Sequence, residues 1–275
     1  MSEIAYYNGN LAPYNSIKIP LSDRAVFFGD GIYDAALCAR GKIFLSDRHI
    51  KRFLGNAERL EIRHDFDYAK LEKILYSVLG ACDAEYAFLY FQLTRGCKER
   101  IHSSLSSDAS NLLVTVKPCE CPSPRLMRLH IREDLRYYYC DIKTINLLPQ
   151  TLYATEAARL GLDECVLHRN NIVTECSHSN ISIIKDDTLI THPRSRLILP
   201  GITRECILEA CERLGIPYLE RPFSVNELYL ADDIIVSSSS RLACPAVMGS
   251  EKRKKTDIGD AICGELKKQF VEFAL

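Results

Sequence analysis

The sequence predicts an α+β chain in two domains, and three observations carry that prediction. Segments with helical spacing of apolar residues are interleaved with segments that alternate or run apolar, from one end of the chain to the other. The stretch Pro118-Cys119-Glu120-Cys121-Pro122-Ser123-Pro124 sets three prolines in seven positions, which neither a helix nor a central strand carries. With 275 residues the chain is long enough for two cores. The expected division is therefore residues 1–117, a linker at 118–124, and residues 125–275.

In order along the chain, a turn at Pro13-Tyr14-Asn15 leads to a short strand on Ile17 and Ile19, which Pro20 ends. Residues 33–39 and 43–45 flank Arg40-Gly41 as a hairpin. Ser46-Asp47 precedes Ile50, Phe53, Leu54, Ala57 and Leu60, one helix face with a cap in front. A second helix carries Leu71, Ile74, Leu75, Val78 and Leu79, and strands follow at 87–94 and 112–116. Beyond the linker come a strand, a helix over 151–160 stopped by Gly161, and three short strands between Glu164 and Thr191. A helix over 203–214, a capping box at Ser224-Val225-Asn226-Glu227, a strand over 233–237 and a terminal helix on Ile258, Ile262, Leu266 and Phe270 complete it.

Apolar residues make up 47% of the chain and charged residues 26%, the mix of a globular protein, and no apolar run is long enough to cross a bilayer. A formal net charge of -1 gives no general attraction to nucleic acid or an acidic membrane. The start, Met1-Ser2-Glu3-Ile4, has neither a basic n-region nor an apolar h-region, so secretion is not expected. The twelve cysteines then read as reduced thiols of a cytoplasmic protein. Cys119 and Cys121 have no second pair at ligand spacing and read as loop residues, with no metal. The basic run Lys252-Arg253-Lys254-Lys255 reads as a solvated hairpin tip.

Lys143 lies in the apolar run Cys140-Asp141-Ile142-Lys143-Thr144-Ile145-Asn146-Leu147-Leu148. Burial disfavours a protonated amine, and a Schiff base needs the neutral form. Its context also allows a solvent-facing lysine on an edge strand beside Asp141. Glu175, where a short strand meets a polar turn, is either an exposed turn residue or a buried carboxylate in need of a cation, such as a protonated pyridine nitrogen. Gly201-Ile202-Thr203-Arg204 opens a helix whose free amides suit an anion or an ordinary cap. The hydroxyls of Ser237–Ser240 end a strand and suit phosphate or a polar turn, and Arg52 offers a bidentate fork. Arg100 and His102, two apart in a polar loop, point the same way if the loop is extended and could clasp a carboxylate.

Taken in order, Ser22-Asp23-Arg24-Ala25 with Phe28-Gly29-Asp30-Gly31-Ile32-Tyr33, Arg48-His49-Ile50-Lys51-Arg52, Asp141-Ile142-Lys143, Thr174-Glu175 with Ser179-Asn180, and Gly201-Ile202-Thr203-Arg204 resemble the fold-type IV pyridoxal-phosphate enzymes. Within that class, Leu89–Gly96 followed by Arg100-Ile101-His102, Leu167–Asn171 and Thr191-His192-Pro193 are most similar to the D-amino-acid aminotransferases. The resemblance implies a smaller N-terminal α/β domain and a larger, barrel-like C-terminal α/β domain. It further implies pyridoxal 5'-phosphate as a Schiff base on Lys143, with Glu175 on the ring nitrogen. Arg52, Ile202, Thr203, Ser239 and Ser240 would take the phosphate, and Tyr33, Arg100 and His102 the substrate. The implied reaction moves an amino group between an amino acid of the D-alanine type and a 2-oxo acid, in a homodimer whose Arg100/His102 loop reaches the partner's site. Branched-chain L-amino-acid transfer and aminodeoxychorismate lysis belong to the same class, and a non-catalytic ligand-binding module is the further alternative. Cys176, His178, Tyr139 and Arg241 depart from the family pattern near the implied pocket.

Overall fold

The structure, a computed structural model, describes residues 3–103 and 109–275. The chain divides into two compact units: Met1–Cys121 with Ile142–Asn146, and Pro122–Asp141 with Leu147–Phe273. The Lys143 segment therefore packs with the first unit, whereas the boundaries read from the sequence group it with the second.

The first unit is a six-stranded antiparallel sheet in the order β2-β1-β6-β5-β3-β4. Its elements are β1 (Ile4–Tyr7), β2 (Asn10–Pro13), α1 (Arg24–Phe28), β3 (Gly31–Ala39), β4 (Lys42–Ile43), α2 (Ser46–Arg59), α3 (Tyr68–Gly80), β5 (Tyr86–Thr94) and β6 (Asn111–Pro118). The β1–β2 hairpin escaped the sequence reading, although Asn8-Gly9 at its tip (φ 46° and 95°) is a strong short-range hairpin signal. The expected strand on Ile17 and Ile19 is absent: both side chains instead line a groove of about 640 Å³ with Phe88, Tyr90 and Lys117. Alternation along β5 explains the placement. Leu89, Phe91 and Leu93 face inward and pack with Ile50, Phe53 and Ala57 of α2 and Leu71, Leu75 and Val78 of α3, while Phe88, Tyr90 and Gln92 face the other way. The Phe53 and Phe91 rings lie 4.7 Å apart in a tilted contact within this core. Leu45, in the left-handed region at φ 54°, precedes α2, so Ser46 and Asp47 sit in the first turn rather than in front of it.

The second unit is an eight-stranded mixed sheet, a half-barrel, in the order β12-β11-β10-β13-β14-β7-β8-β9. Its elements are β7 (Met127–Glu133), α4 (Leu148–Arg159), β8 (Glu164–Arg169), β9 (Ile172–Cys176), β10 (Asn180–Lys185), β11 (Thr188–Thr191), α5 (Ile202–Leu214), β12 (Tyr218–Glu220), α6 (Val225–Leu230), β13 (Asp233–Ser238), β14 (Leu242–Met248) and α7 (Asp257–Ala274). β10 and β13 are buried along nearly their whole length, as expected of strands covered on both faces. Helix α4 starts three residues before the expected Thr151 because Pro149 suits a first turn, where its missing N–H costs nothing. The capping box at Ser224 and Glu227 forms as read. Four strands, not three, lie between Glu164 and Thr191.

The basic run 252–255 forms no hairpin tip, and although its three lysines are exposed its arginine is not. Arg253 forks onto the buried Asp233 at 3.0 and 2.6 Å and reaches Asp260 at 2.8 Å, while Lys254 donates to the Ala231 carbonyl at 2.9 Å. The run clamps the start of α7 to β13, because a buried carboxylate demands a cation.

Candidate active site

In the first unit, the Lys143 segment is held along the start of β3. Tyr33 N donates to Lys143 O at 2.9 Å, Ile145 N donates to Gly31 O at 3.1 Å, and Ile32 bridges to Thr144. Gly31 permits this approach, since a Cβ there would meet Leu93 O at 2.6 Å and Ile145 Cδ1 at 3.1 Å. Asn146 Nδ2 closes the segment by donating to Gly29 O at 2.6 Å. The half-buried Lys143 points its Nζ at the face of Tyr33, 4.4 Å from the ring centroid. Among the described residues no carboxylate pairs with it, so the amine is not locked in a salt bridge. Tyr33 in turn stacks on Tyr90 at 5.4 Å. Burial, then the neighbouring Tyr33, pushes the Tyr90 phenol up, so it stays protonated and donates to Gln92 Oε1 at 2.6 Å.

Arg52, expected at phosphate, forks onto Asp34, with Nε to Oδ2 and Nη2 to Oδ1 both at 2.8 Å. His49 Nδ1 lies 2.8 Å from the same Asp34 Oδ1. Burial works against the Asp34 carboxylate, but Arg52 and His49 outweigh it and hold it well below the usual carboxylate range. The pairing orients the guanidinium and neutralises part of its charge. Arg100 and His102 are exposed, and both lie against Phe28. The Arg100 guanidinium lies 5.7 Å from the Phe28 ring centroid and the His102 ring 5.3 Å from it.

Glu175, in the second unit, is buried and ionically paired. Arg136 Nη1 donates to its Oε1 at 2.5 Å, and Asn180 Nδ2 and Leu199 N donate to Oε2, each at 2.9 Å. Arg136 is itself clasped by Asp134, with Nε to Oδ1 and Nη2 to Oδ2 both at 2.9 Å. Burial raises the Glu175 carboxyl above its ordinary range by more than Arg136 draws it down. The anion is thus short of positive charge. Its three hydrogen bonds leave room for another donor, since a carboxylate takes about four.

Helix α5 begins at Gly201 without a side-chain cap, which leaves the first-turn amides of Ile202 and Thr203 to an outside acceptor. A Cβ at Gly201 would collide with Asn180 Oδ1, so the turn needs glycine if Asn180 is to hold Glu175. Ser239 and Ser240 form the turn between β13 and β14, and the Ser240 hydroxyl lies 3.3 Å from that of Ser238.

Among the departures, His178 Nδ1 lies 3.0 Å from Glu164 Oε2, and Ser177 and Ser179 also donate to that fully buried carboxylate. Burial pushes the Cys176 thiol well up, which makes it an inert packing residue. The exposed Tyr139 and the half-buried Arg241, whose Nη1 approaches Met127 Sδ at 4.0 Å, complete the set.

Sequence reasoning singled out neither Arg136 nor Asp34. Each left a signal. Asp34 is the one charge in the apolar run of β3, and Arg136 stands among Leu135 and three tyrosines. The partners of such residues are distant in sequence and become visible only on folding.

In the first unit, a half-buried lysine with no carboxylate partner among the described residues suits an aldehyde; in the second, a buried carboxylate short of positive charge suits a pyridine nitrogen, and a helix start without a side-chain cap suits a phosphate. The model of class IV amino-transferases matches residues 31–247, and the chain belongs to that family of pyridoxal-phosphate-dependent transaminases. It is 33% identical over 274 residues to the D-alanine aminotransferase of Staphylococcus aureus (strain N315), covering 98% of this chain and 96% of that protein. It is likewise 33% identical over 239 residues to the D-alanine aminotransferase of Listeria innocua, covering 85% of this chain and 83% of that one. In fold it is similar to the branched-chain aminotransferase of Thermoproteus uzoniensis, with a TM-score of 0.90 at 20% identity over 100% of this chain and 96% of that one. A 4-amino-4-deoxychorismate lyase described from Legionella pneumophila has a TM-score of 0.85 at 19% identity, over 93% of this chain and 96% of that one. Among the described residues no helix is long and apolar enough to cross a membrane, and no group of three or more side chains could hold a metal ion.

Proposed function

We propose that this transaminase exchanges the amino group of a D-alanine-type amino acid with a 2-oxo acid, using Lys143 as the residue joined to the cofactor. The observation that carries the substrate class is the presentation of Arg100 and His102 over one Phe28 ring, two cationic or donor groups set for one carboxylate. D-alanine aminotransferases among the relatives support the same reading.

When bound, pyridoxal phosphate supplies an electron sink and a carrier for the amino group. Lys143 Nζ would hold the cofactor and, as a free amine, would take and return the proton at the substrate's α-carbon. Tyr33 keeps that amine against its ring. Glu175, paired with Arg136, would keep a proton on the ring nitrogen. The Ile202 and Thr203 amides, the Ser239 and Ser240 hydroxyls and the Arg52 guanidinium would take the phosphate.

Twelve free cysteines support a reducing, cytoplasmic setting, and the kinship supports a homodimer, which light scattering on the purified protein tests. The decisive experiment is borohydride reduction of the cofactor-loaded chain, peptide mapping, and a panel of separate D- and L-amino acids with 2-oxoglutarate. The pyridoxyl tag is expected on Lys143, with Lys143→Ala losing both the tag and the visible absorbance. Transfer is expected from D-alanine. Activity confined to L-leucine, or release of pyruvate from a chorismate-derived substrate without amino transfer, would replace this reading.

A further inference from the structure

Arg24 opens α1 with only 4% of its surface exposed, and none of the roles above uses it. Its Nε donates to Asp30 Oδ2 at 2.7 Å, and its guanidinium lies 4.6 Å from the Phe28 ring centroid. The other two nitrogens leave the helix. Nη1 donates to the Ile101 carbonyl at 2.6 Å and Nη2 to the His102 carbonyl at 3.1 Å. One buried fork thus holds two successive carbonyls of the loop that carries Arg100 and His102.

The base of this tether is firm. Asp23, buried, caps α1 at Ala25 N and accepts from Thr94 Oγ1 at 2.9 Å and Asn111 Nδ2 at 2.7 Å. Arg24 N donates to Gly96 O and Lys98 N to Ser22 O, both at 2.9 Å. Past Lys98 that support ends. Between residues 99 and 103 the one backbone–backbone hydrogen bond among the described residues is Ile101 N to Glu99 O at 2.7 Å. Among the described residues no ladder holds the loop, so its geometry rests on Arg24 and on the Phe27 and Phe28 rings against Arg100 and His102.

We propose that Arg24 is a positioning residue for recognition of the substrate carboxylate: by holding the Ile101 and His102 carbonyls, it sets Arg100 and His102 at the spacing one carboxylate requires. This rests on the reading that those two residues bind that carboxylate. A lysine cannot substitute, because an ammonium on a flexible stem lacks the planar fork that reaches Asp30 and both carbonyls together. With the tether cut, each binding event must re-order the loop, and that cost falls on affinity rather than on the chemical step.

The test uses the cofactor-loaded enzyme as wild type, Arg24→Lys, Arg24→Gln and Arg100→Ala. Asp30 keeps Arg95 Nε at 3.0 Å in both Arg24 variants, which protects the fold, and an unchanged visible absorbance of bound cofactor verifies it. Measured are KM and kcat for D-alanine and the dissociation constant of propionate, a carboxylate without an amino group. Both Arg24 variants are expected to raise KM and to weaken propionate by about tenfold to a hundredfold, with kcat within about threefold of wild type. A fall in kcat at unchanged KM, or full propionate affinity in both variants, overturns the positioning role. Arg100→Ala separates the two claims: if it alone weakens propionate, only the role of Arg24 fails. If it too leaves KM and propionate unchanged, the clasp reading fails and takes this one with it.

Discussion

Replacing Arg136 with methionine tests the electrostatics around Glu175 most directly. The change removes four side-chain hydrogen bonds: one to Glu175, two to Asp134 and one to the Leu197 carbonyl at 3.2 Å. Asp134 keeps Thr174 Oγ1 at 3.1 Å and Arg169 Nε at 3.2 Å, and Glu175 keeps Asn180 and Leu199. Breaking a buried ion pair from one side costs about 3–5 kcal/mol, and these surviving donors place the loss near about 3 kcal/mol. For a chain of this size that corresponds to a fall of roughly 6–12 °C in Tm. The loss should depend on pH. Burial already raises the Glu175 carboxyl, and without the guanidinium it rises further. A raised folded-state value means that the folded protein binds this proton more tightly than the unfolded chain. The associated stability is therefore present at low pH and lost as pH rises through the folded value. Scanning calorimetry should show a larger deficit at pH 7.5 than at pH 5.5, and adding Glu175→Gln to Arg136→Met should recover at least about half of it, because the uncompensated charge is gone. Equal deficits at both pH values together with no recovery in the double variant would refute the reasoning.

Two further outcomes follow from particular contacts. His192 is buried, and burial lowers its imidazole below the usual value near 6.5, so the unfolded chain binds that proton more tightly. Its contribution to stability is lost as pH falls below about 6.5, and His192→Gln should flatten the dependence of the urea midpoint between pH 7 and 5. Matching slopes in the two proteins would count against it. Arg253→Met strands the buried Asp233 and should cost about 3 kcal/mol, while Arg40→Ala, from an exposed pair with Glu85, should change stability by less than about 0.5 kcal/mol. Chemical denaturation measures both, and comparable losses would show that burial does not govern these pairs.

Local features were the legible ones. The Ser224–Glu227 box, the Arg40-Gly41 turn (φ 47° and 74°) and the face of α5 depend on residues within a few positions of each other, so spacing alone reveals them. Ile17 and Ile19 show where this fails. Two alternating isoleucines satisfy the strand pattern, but among the described residues no strand pairs with them, and they line a groove instead. The ordered motifs around Lys143, Glu175 and Gly201 were readable as a family pattern, and the match over residues 31–247 agrees with it.

Composition, periodicity and motif order carried the class of protein and the interleaving of helices and strands, and the family resemblance pointed to the lysine, carboxylate and helix start proposed for the site. Tertiary structure decided the company those groups keep: Arg136 lies 39 positions from Glu175, and Arg24 lies 78 from His102. Charge pairing in a protein interior is a matter of distance in space and loss of water, and neither is written in the order of residues along the chain.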